Sequence, residues 1–195
     1  MSINRIHQDD EYLIFHIPSD EVVEKLGRAY PIHIDHSPIQ YASVWPAGFR
    51  IEFLPEVDSD AHIVPDLSVS GGKLFLSEKA YGALKSLLET DGEFLPVEYH
   101  KSEKGYLFNP LVIAEDMDAL DEARTGYDEH GNLEHFDFIE NKLESVATFK
   151  AKIDHFNGVF CRDTLKNTIE ETGLTGVYFQ PDLANFSGES SDTSH

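Results

Sequence analysis

One pattern occurs twice in this chain: a short apolar strand, an amphipathic helix, a glycine stop and a second strand. The first copy spans residues 74–99, where Ser77 is a good N-cap and Gly92 ends the helix. The second copy spans residues 159–179, with Gly173 as the stop. Such units cover a sheet with helices. The sequence therefore predicts an α+β fold, with a mixed, mainly antiparallel sheet and a few covering helices.

The two copies align at a constant offset, which places Leu74 on Val159 and Leu84 on Ile169. Duplication of one ancestral unit would explain this match. Two unrelated helices that face one sheet would need the same spacing of apolar residues, so the match also has an explanation without duplication. Both interpretations stay open at this point.

A run rich in turn-forming residues, 58–72, separates the repeated units from the residues before them. We expect a strand-rich N-terminal part or subdomain over residues 1–58, and an α+β domain over 59–182. Residues 183–195 are dominated by Ser, Gly, Asp and Glu, and few of them are apolar enough to pack. This last stretch is predicted to be a disordered tail.

Three other stretches have the composition of strands. Residues 32–36 alternate apolar and polar side chains between two prolines, which predicts a half-buried edge strand. Residues 146–153 also alternate, and Lys150 falls on the more polar face. The apolar run 107–113 suits a buried strand that forms a hairpin with the strand 94–99.

The single cysteine and the absence of long apolar runs indicate the compartment. Cys161 has no second cysteine with which to form an internal disulfide. The first residues include acids and histidine rather than an apolar signal run, and no stretch approaches the roughly 18 apolar residues that span a bilayer. We predict a cytoplasmic protein that does not contact a membrane.

Net charge is the most unusual property of the composition, since 15 basic and 36 acidic residues give −21. The charge is uneven: residues 1–72 hold 12 acids and 4 bases (−8), and 115–144 hold 11 and 2 (−9). Residues 73–114 and 145–180 are nearly neutral, at −1 and 0. Such a field repels nucleic acid and attracts basic proteins. Solubility alone is the alternative explanation.

The acid-rich segment begins directly after the strand 107–113, where the chain changes from core residues to surface residues. We expect this segment to bind a partner with a basic surface. The predicted partner-binding residues are acids of this segment: Asp116, Asp118, Asp121, Glu122, Asp128 and Glu129.

Two groups of side chains have the chemistry of a metal site. In the run of His33, Asp35 and His36, the predicted strand places His33 and Asp35 on one face, but no third ligand is apparent. A denser cluster flanks a predicted turn, where polar residues also collect because the turn is wet. Its members are Asp128, Glu129, His130, Glu134 and His135. A metal-dependent enzyme that uses this second cluster is the alternative to a binding protein.

Other chemistry finds no support in the residues. The acids after Asp116 lack the central glycine and terminal glutamate of a calcium loop. Cys161 lies in an apolar strand, where cysteine is usually a small core residue. The chain has no serine-hydrolase, phosphate-loop, Cys-x-x-Cys or dinucleotide-binding motif. We predict no catalytic residues, no metal and no cofactor.

The chain resembles immunity family eleven of bacterial polymorphic-toxin systems, which was earlier named only as a domain of unknown function. The resemblance extends over residues 63–181, through a Ser-Glu helix start, Leu120-Asp121-Glu122 and a Gly-Leu-Thr-Gly turn at 173–176. Four stretches carry it in order: VPDLSVSGGKLFLSEKAYGALKSLL, FLPVEY, YLFNPLVIAEDMDALDEARTGYD and VFCRDTLKNTIEETGLTGVYF.

The resemblance implies a cytoplasmic inhibitor that binds and neutralises a cognate secreted toxin, and it implies no catalytic residues. Inhibitors of nucleases are often acidic because the nucleic-acid cleft of a nuclease is basic. We therefore expect a nuclease-type toxin, held in a stoichiometric complex by the acid-rich segment. An acidic adaptor module without a toxin partner is a further alternative.

Overall fold

The computed structural model describes residues 2–57 and 59–186. Within them the chain forms three α-helices and twelve strands, which confirms the predicted α+β class with mainly antiparallel sheet. The helices are α1 (Ser19–Lys25), α2 (Glu78–Leu88) and α3 (Asp163–Glu171). The strands are β1 (Ile3–Gln8), β2 (Ile14–His16), β3 (Glu52–Leu54), β4 (Leu67–Ser70), β5 (Lys73–Ser77), β6 (Gly92–Tyr99), β7 (Glu103–Pro110), β8 (Gly126–Tyr127), β9 (Leu133–His135), β10 (Thr148–Phe149), β11 (Phe160–Arg162) and β12 (Val177–Gln180).

Two four-stranded sheets share one arrangement. The first has the order β4-β5-β7-β6 and the second β10-β11-β1-β12, with antiparallel neighbours throughout. In each sheet a helix connects two strands that have one other strand between them. The two sequence units therefore occupy equivalent positions. The middle strand differs in origin, because β7 follows its unit directly whereas β1 comes from the other end of the chain.

The two helices share one core with the inner faces of both sheets. Leu84 of α2 and Leu165 of α3 belong to the same buried cluster as Leu74 of β5 and Cys161 of β11. Ser77 caps α2 as predicted, since its hydroxyl accepts a hydrogen bond from the Ala80 N–H at 3.1 Å. The predicted hairpin of β6 and β7 is also present.

Each sheet is covered on its outer face as well. Phe75, between the inward residues of β5, packs with Phe15 and Tyr41 of the N-terminal part. Phe160 of β11 points to the outer side of the second sheet and packs with Phe138. Residues 9–57 thus cover the first sheet, and a segment that follows β7 covers the second.

The predicted strand over residues 32–36 is wrong. This stretch forms turns between its two prolines, with Ile32 buried and Ile34 70% exposed. Its apolar alternation is therefore a coincidence of turn positions. The strand predicted over 146–153 is reduced to β10, which is buried on both faces, and Lys150 beyond it is fully buried rather than on a polar face.

The first residues of the predicted tail are packed against the fold. Leu183 is buried in the outer core of the second sheet, and its carbonyl accepts a hydrogen bond from Arg5 Nη1 at 3.1 Å. The Arg5 guanidinium also lies 4.8 Å from the ring centre of Phe186. The rest of that predicted tail, 187–195, lies outside the described residues. Across the part of the chain that is described, no helix has the length and apolar character needed to cross a bilayer.

Candidate partner interface

The acid-rich segment forms a lobe on the outer face of the second sheet, which we call the acidic lobe (residues 114–147). It contains three 3₁₀ turns and the short hairpin of β8 and β9. Apolar side chains at intervals along the lobe bury it against Phe149 and Phe160 of the sheet. They are Ala114, Ala119, Phe136, Phe138, Leu143 and Val146.

Backbone hydrogen bonds fix the shape of the acidic lobe. The Asp121 N–H donates to the Asp137 carbonyl at 2.9 Å, and the Ile139 N–H donates to the Ala119 carbonyl at 2.7 Å. At the base of the lobe, the Ala114 N–H donates to the carbonyl of Lys150 at 3.0 Å. The acidic side chains are therefore displayed on a frame that is pinned to the sheet at several points.

Three of the six predicted partner-binding residues have partners within the protein. Asp116 forms an ion pair with Lys152. The Asp121 carboxylate caps a 3₁₀ turn by accepting from the Ala123 N–H at 3.1 Å. Asp128 accepts from three donors in its turn, each at 2.8 Å: the His130 N–H, the Asn132 N–H and the Asn132 side-chain amide. These carboxylates have a structural role that the sequence reading did not assign.

The other three, Asp118, Glu122 and Glu129, are exposed. The carboxylates of Asp118 and Glu122 make no hydrogen bond or ion pair with the described part of the chain. Glu129 lies 3.5 Å from His130 Nε2 and is 87% exposed. Because these side chains make so few internal contacts, a partner that pairs with them breaks few existing bonds. Their negative charge also attracts a basic partner as it approaches the lobe.

Few cations compensate this field. The segment 115–144 has two basic residues against 11 acids. One of the two, Arg124, pairs with Asp137 at 2.8 Å on the surface. A surface pair of this kind is weakly stabilising and leaves the net charge of the lobe unchanged.

Glu115 has a role that the sequence reading missed. Its two carboxylate oxygens accept from the backbone N–H groups of Lys152 and Ile153, each at 2.9 Å. This ties the first turn of the acidic lobe to the chain beyond β10. The sequence signal was present, since Glu115 is the first acid after a buried strand, but its distant backbone partners have no local signature.

The histidine and carboxylate cluster around His130 is spread along an exposed turn. Glu134 and His135 approach each other only to 4.0 Å, and the pair is more than half exposed. Among residues 2–57 and 59–186, no group of three or more His, Cys, Asp or Glu side chains is placed to hold a metal ion. His33, Asp35 and His36 are likewise not brought together as ligands.

Two buried lysines form a second polar centre that sequence reasoning did not find. Lys73 is 1% exposed and Lys150 is 0% exposed. Lys73 Nζ donates to the carbonyls of Asp35 and Gly71, both at 3.2 Å. Lys150 Nζ donates to the His36 carbonyl at 3.0 Å and to Asn109 Oδ1 at 3.1 Å. The two lysines thus hold consecutive carbonyls of the turn 32–36.

Burial disfavours the charged form of both lysines. It lowers the pKa of Lys73 to about 8, partly offset by Asp35. Burial, and then the positive charge of Lys73, lowers the pKa of Lys150 to about 6. The neutral form is thus favoured more strongly at Lys150 than at Lys73.

No protein-family model matches this chain, and no curated protein is recognisably similar to it in sequence.

Proposed function

We propose that this protein is a stoichiometric inhibitor that binds a basic partner protein through the acidic lobe. The observation that carries the proposal is a rigidly mounted lobe whose outer carboxylates, Asp118, Glu122 and Glu129, are exposed and have few internal partners. Opposite charge across an interface speeds encounter and selects the partner. The resemblance to toxin immunity proteins supports a secreted bacterial toxin as that partner.

A nuclease-type toxin fits this charge best. Nucleases hold the phosphates of their substrate in a basic cleft, and carboxylates of an inhibitor occupy the same positions. In this proposal the acidic lobe enters or covers such a cleft and excludes the substrate. The inhibitor performs no chemical step of its own.

The test uses the protein encoded beside this chain as the probe. Co-expression of the two is expected to rescue growth of a host that the neighbouring protein alone kills, and the two should purify together. A neighbouring protein that is harmless, or that neither binds nor is neutralised, would overturn the proposal.

The role of the acidic lobe is tested by charge reversal at Asp118, Glu122 and Glu129. The variant Asp118→Lys, Glu122→Lys and Glu129→Lys is expected to slow association by about tenfold or more and to reduce its salt dependence. The matched control is Glu24→Lys, Glu89→Lys and Glu171→Lys, which changes net charge equally at exposed acids outside the lobe. Equal effects of the two triple variants would place the interface elsewhere.

A further inference from the structure

A cavity of about 150 Å³ lies between the turn 32–36, β2 and the β4–β5 hairpin. Among residues 2–57 and 59–186, no carboxylate lines it, although the chain has 36 acidic residues. Its polar lining consists of His16, His33, His36, Ser70, the Gly71 backbone and Lys73. We propose that this cavity binds a small tetrahedral oxyanion of the phosphate or sulfate class. This binding site is independent of the toxin-binding function proposed above.

Lys73 supplies the positive charge of the site. Its ammonium group is held by two backbone carbonyls, which leaves one of its three N–H donors without an acceptor in the described part of the chain. No carboxylate of the described chain lies within ion-pair distance of it. The Asp35 carboxylate is nearby, but it accepts from the N–H and the hydroxyl of Ser37. A buried cation without a paired anion is costly, and a bound anion relieves that cost.

Two further groups in the lining have unused hydrogen-bonding capacity. His33 Nδ1 is buried and has no hydrogen-bond partner among the described residues. The Ser70 hydroxyl, at the end of β4, forms no hydrogen bond within that same part of the chain. Buried polar groups normally have partners, so the orphaned His33 Nδ1 beside the cavity points to a ligand that supplies one. Ser70 is only partly buried and adds a hydroxyl at the same place.

The hydrogen bonds around His36 fix which of its ring nitrogens carries the proton. Asn157 uses its side-chain amide N–H to donate to the Asp154 carbonyl, so its Oδ1 is the atom 2.7 Å from His36 Nδ1. His36 Nδ1 is therefore the donor in that bond, and Nε2 of the neutral ring, on the side next to Gly71, is an acceptor that offers no N–H to an anion. A Cβ at position 71 would stand 3.0 Å from Nε2, so glycine keeps this side of the ring open.

An oxyanion is favoured over a cation by the same contacts. The Lys73 ammonium repels a metal ion, and the three histidines are not placed as a ligand group within the described residues. A tetrahedral oxyanion offers several acceptors in different directions, which matches the Lys73 ammonium, the Ser70 hydroxyl and a His33 tautomer with its proton on Nδ1 around a small space.

The test is calorimetric titration of the full chain with inorganic phosphate at constant ionic strength, with sodium chloride as the reference. We expect saturable binding of one phosphate and a rise in Tm beyond that given by chloride. His33→Gln and Ser70→Ala are each expected to weaken phosphate binding by about three- to tenfold. The control His62→Gln, at a histidine outside the cavity, should bind as the wild type does.

Three outcomes would overturn the proposal: no saturable heat with phosphate, an equal Tm rise with chloride, or wild-type affinity in both cavity variants. Lys73→Met is a weaker test because this buried residue also supports the hairpin. The conservative changes at His33 and Ser70 keep the proposal testable if that variant does not fold.

Discussion

Asp91, just beyond α2, accepts hydrogen bonds from the backbone N–H groups of Ala147, at 2.7 Å, and of the neighbouring Thr148, at 3.1 Å. One carboxylate thus joins the end of α2 to the start of β10 in the second sheet. Burial raises the pKa of Asp91, although these two N–H groups oppose the shift. Asp91 is only 3% exposed, so water cannot take the place of its carboxylate as the acceptor for these N–H groups.

Asp91→Ala is expected to lower the free energy of unfolding by about 2–4 kcal/mol, because it leaves two buried N–H groups without an acceptor. Asp91→Asn retains one acceptor oxygen and should cost less. Urea unfolding followed by circular dichroism measures both. The control is Glu89→Ala at an exposed neighbour, expected to stay within about 0.5 kcal/mol of wild type. Equal stability of Asp91→Ala and the control would show that the bonds are dispensable.

The buried lysines predict a rise in stability with pH. The native pKa of Lys150 is about 6, below its value in an unfolded chain, so between these values the unfolded chain binds more protons. The free energy of unfolding should therefore rise by about 2–3 kcal/mol from about pH 6.5 to pH 8.5. Lys73, with a pKa of about 8, adds to the rise at the upper end.

Lys150→Met tests the assignment of this slope. It removes the titrating group and keeps most of its apolar length, so stability should depend less on pH. Urea unfolding at several pH values gives the slope for each variant. Lys142→Met, at an exposed lysine, should retain the wild-type slope. A slope that survives in Lys150→Met would assign it to other groups.

Asp128 predicts a local effect inside the acidic lobe. The hydrogen bonds from the Asn132 side chain and N–H lower the pKa of Asp128. They therefore stabilise the turn fully when the pH is above the ordinary carboxyl pKa, and this stabilisation is lost as the pH falls through the lowered value. Asp128→Ala should speed amide hydrogen exchange at His130 and Asn132. Amide exchange in β7 serves as the control and should not change. If exchange at His130 and Asn132 also stayed the same, the prediction would be wrong.

Cys161 predicts resistance to thiol reagents. Burial raises the pKa of its thiol well above the ordinary value, and the residue is 0% exposed. Native protein should stay unlabelled by iodoacetamide at neutral pH, whereas protein in urea should be labelled at one site per chain. Mass spectrometry of intact protein counts the labels. Rapid labelling without denaturant would mean that α3 opens readily from β11.

Local signals predicted the parts of the fold that depend on neighbours in sequence. The Ser77 cap, the helix it begins and the hairpin of β6 and β7 all rest on contacts within a few residues of each other. Amphipathic spacing and capping chemistry report such contacts directly. The alternation in 32–36 failed because two prolines and buried lysine contacts impose turns there, and neither influence appears in an apolar pattern.

Long-range pairings were beyond that reasoning. The strand β1 is short and polar at its end, and nothing in residues 3–8 indicates that it enters a sheet built from residues after 147. The same limit applies to the candidate interface. Composition located the acidic lobe, but only the fold separates Asp128, which supports its turn, from Glu122, which faces solvent.

The place of β1 between β11 and β12 has a consequence for synthesis of the chain. The strand leaves the ribosome long before Phe160–Arg162 and Val177–Gln180, so both of its edges are without neighbours while the rest is translated. The first sheet, by contrast, closes from one continuous stretch. Maturation of the second half must wait for its final strands, and a nascent polypeptide stalled before them would display an unpaired ribbon open to chaperones.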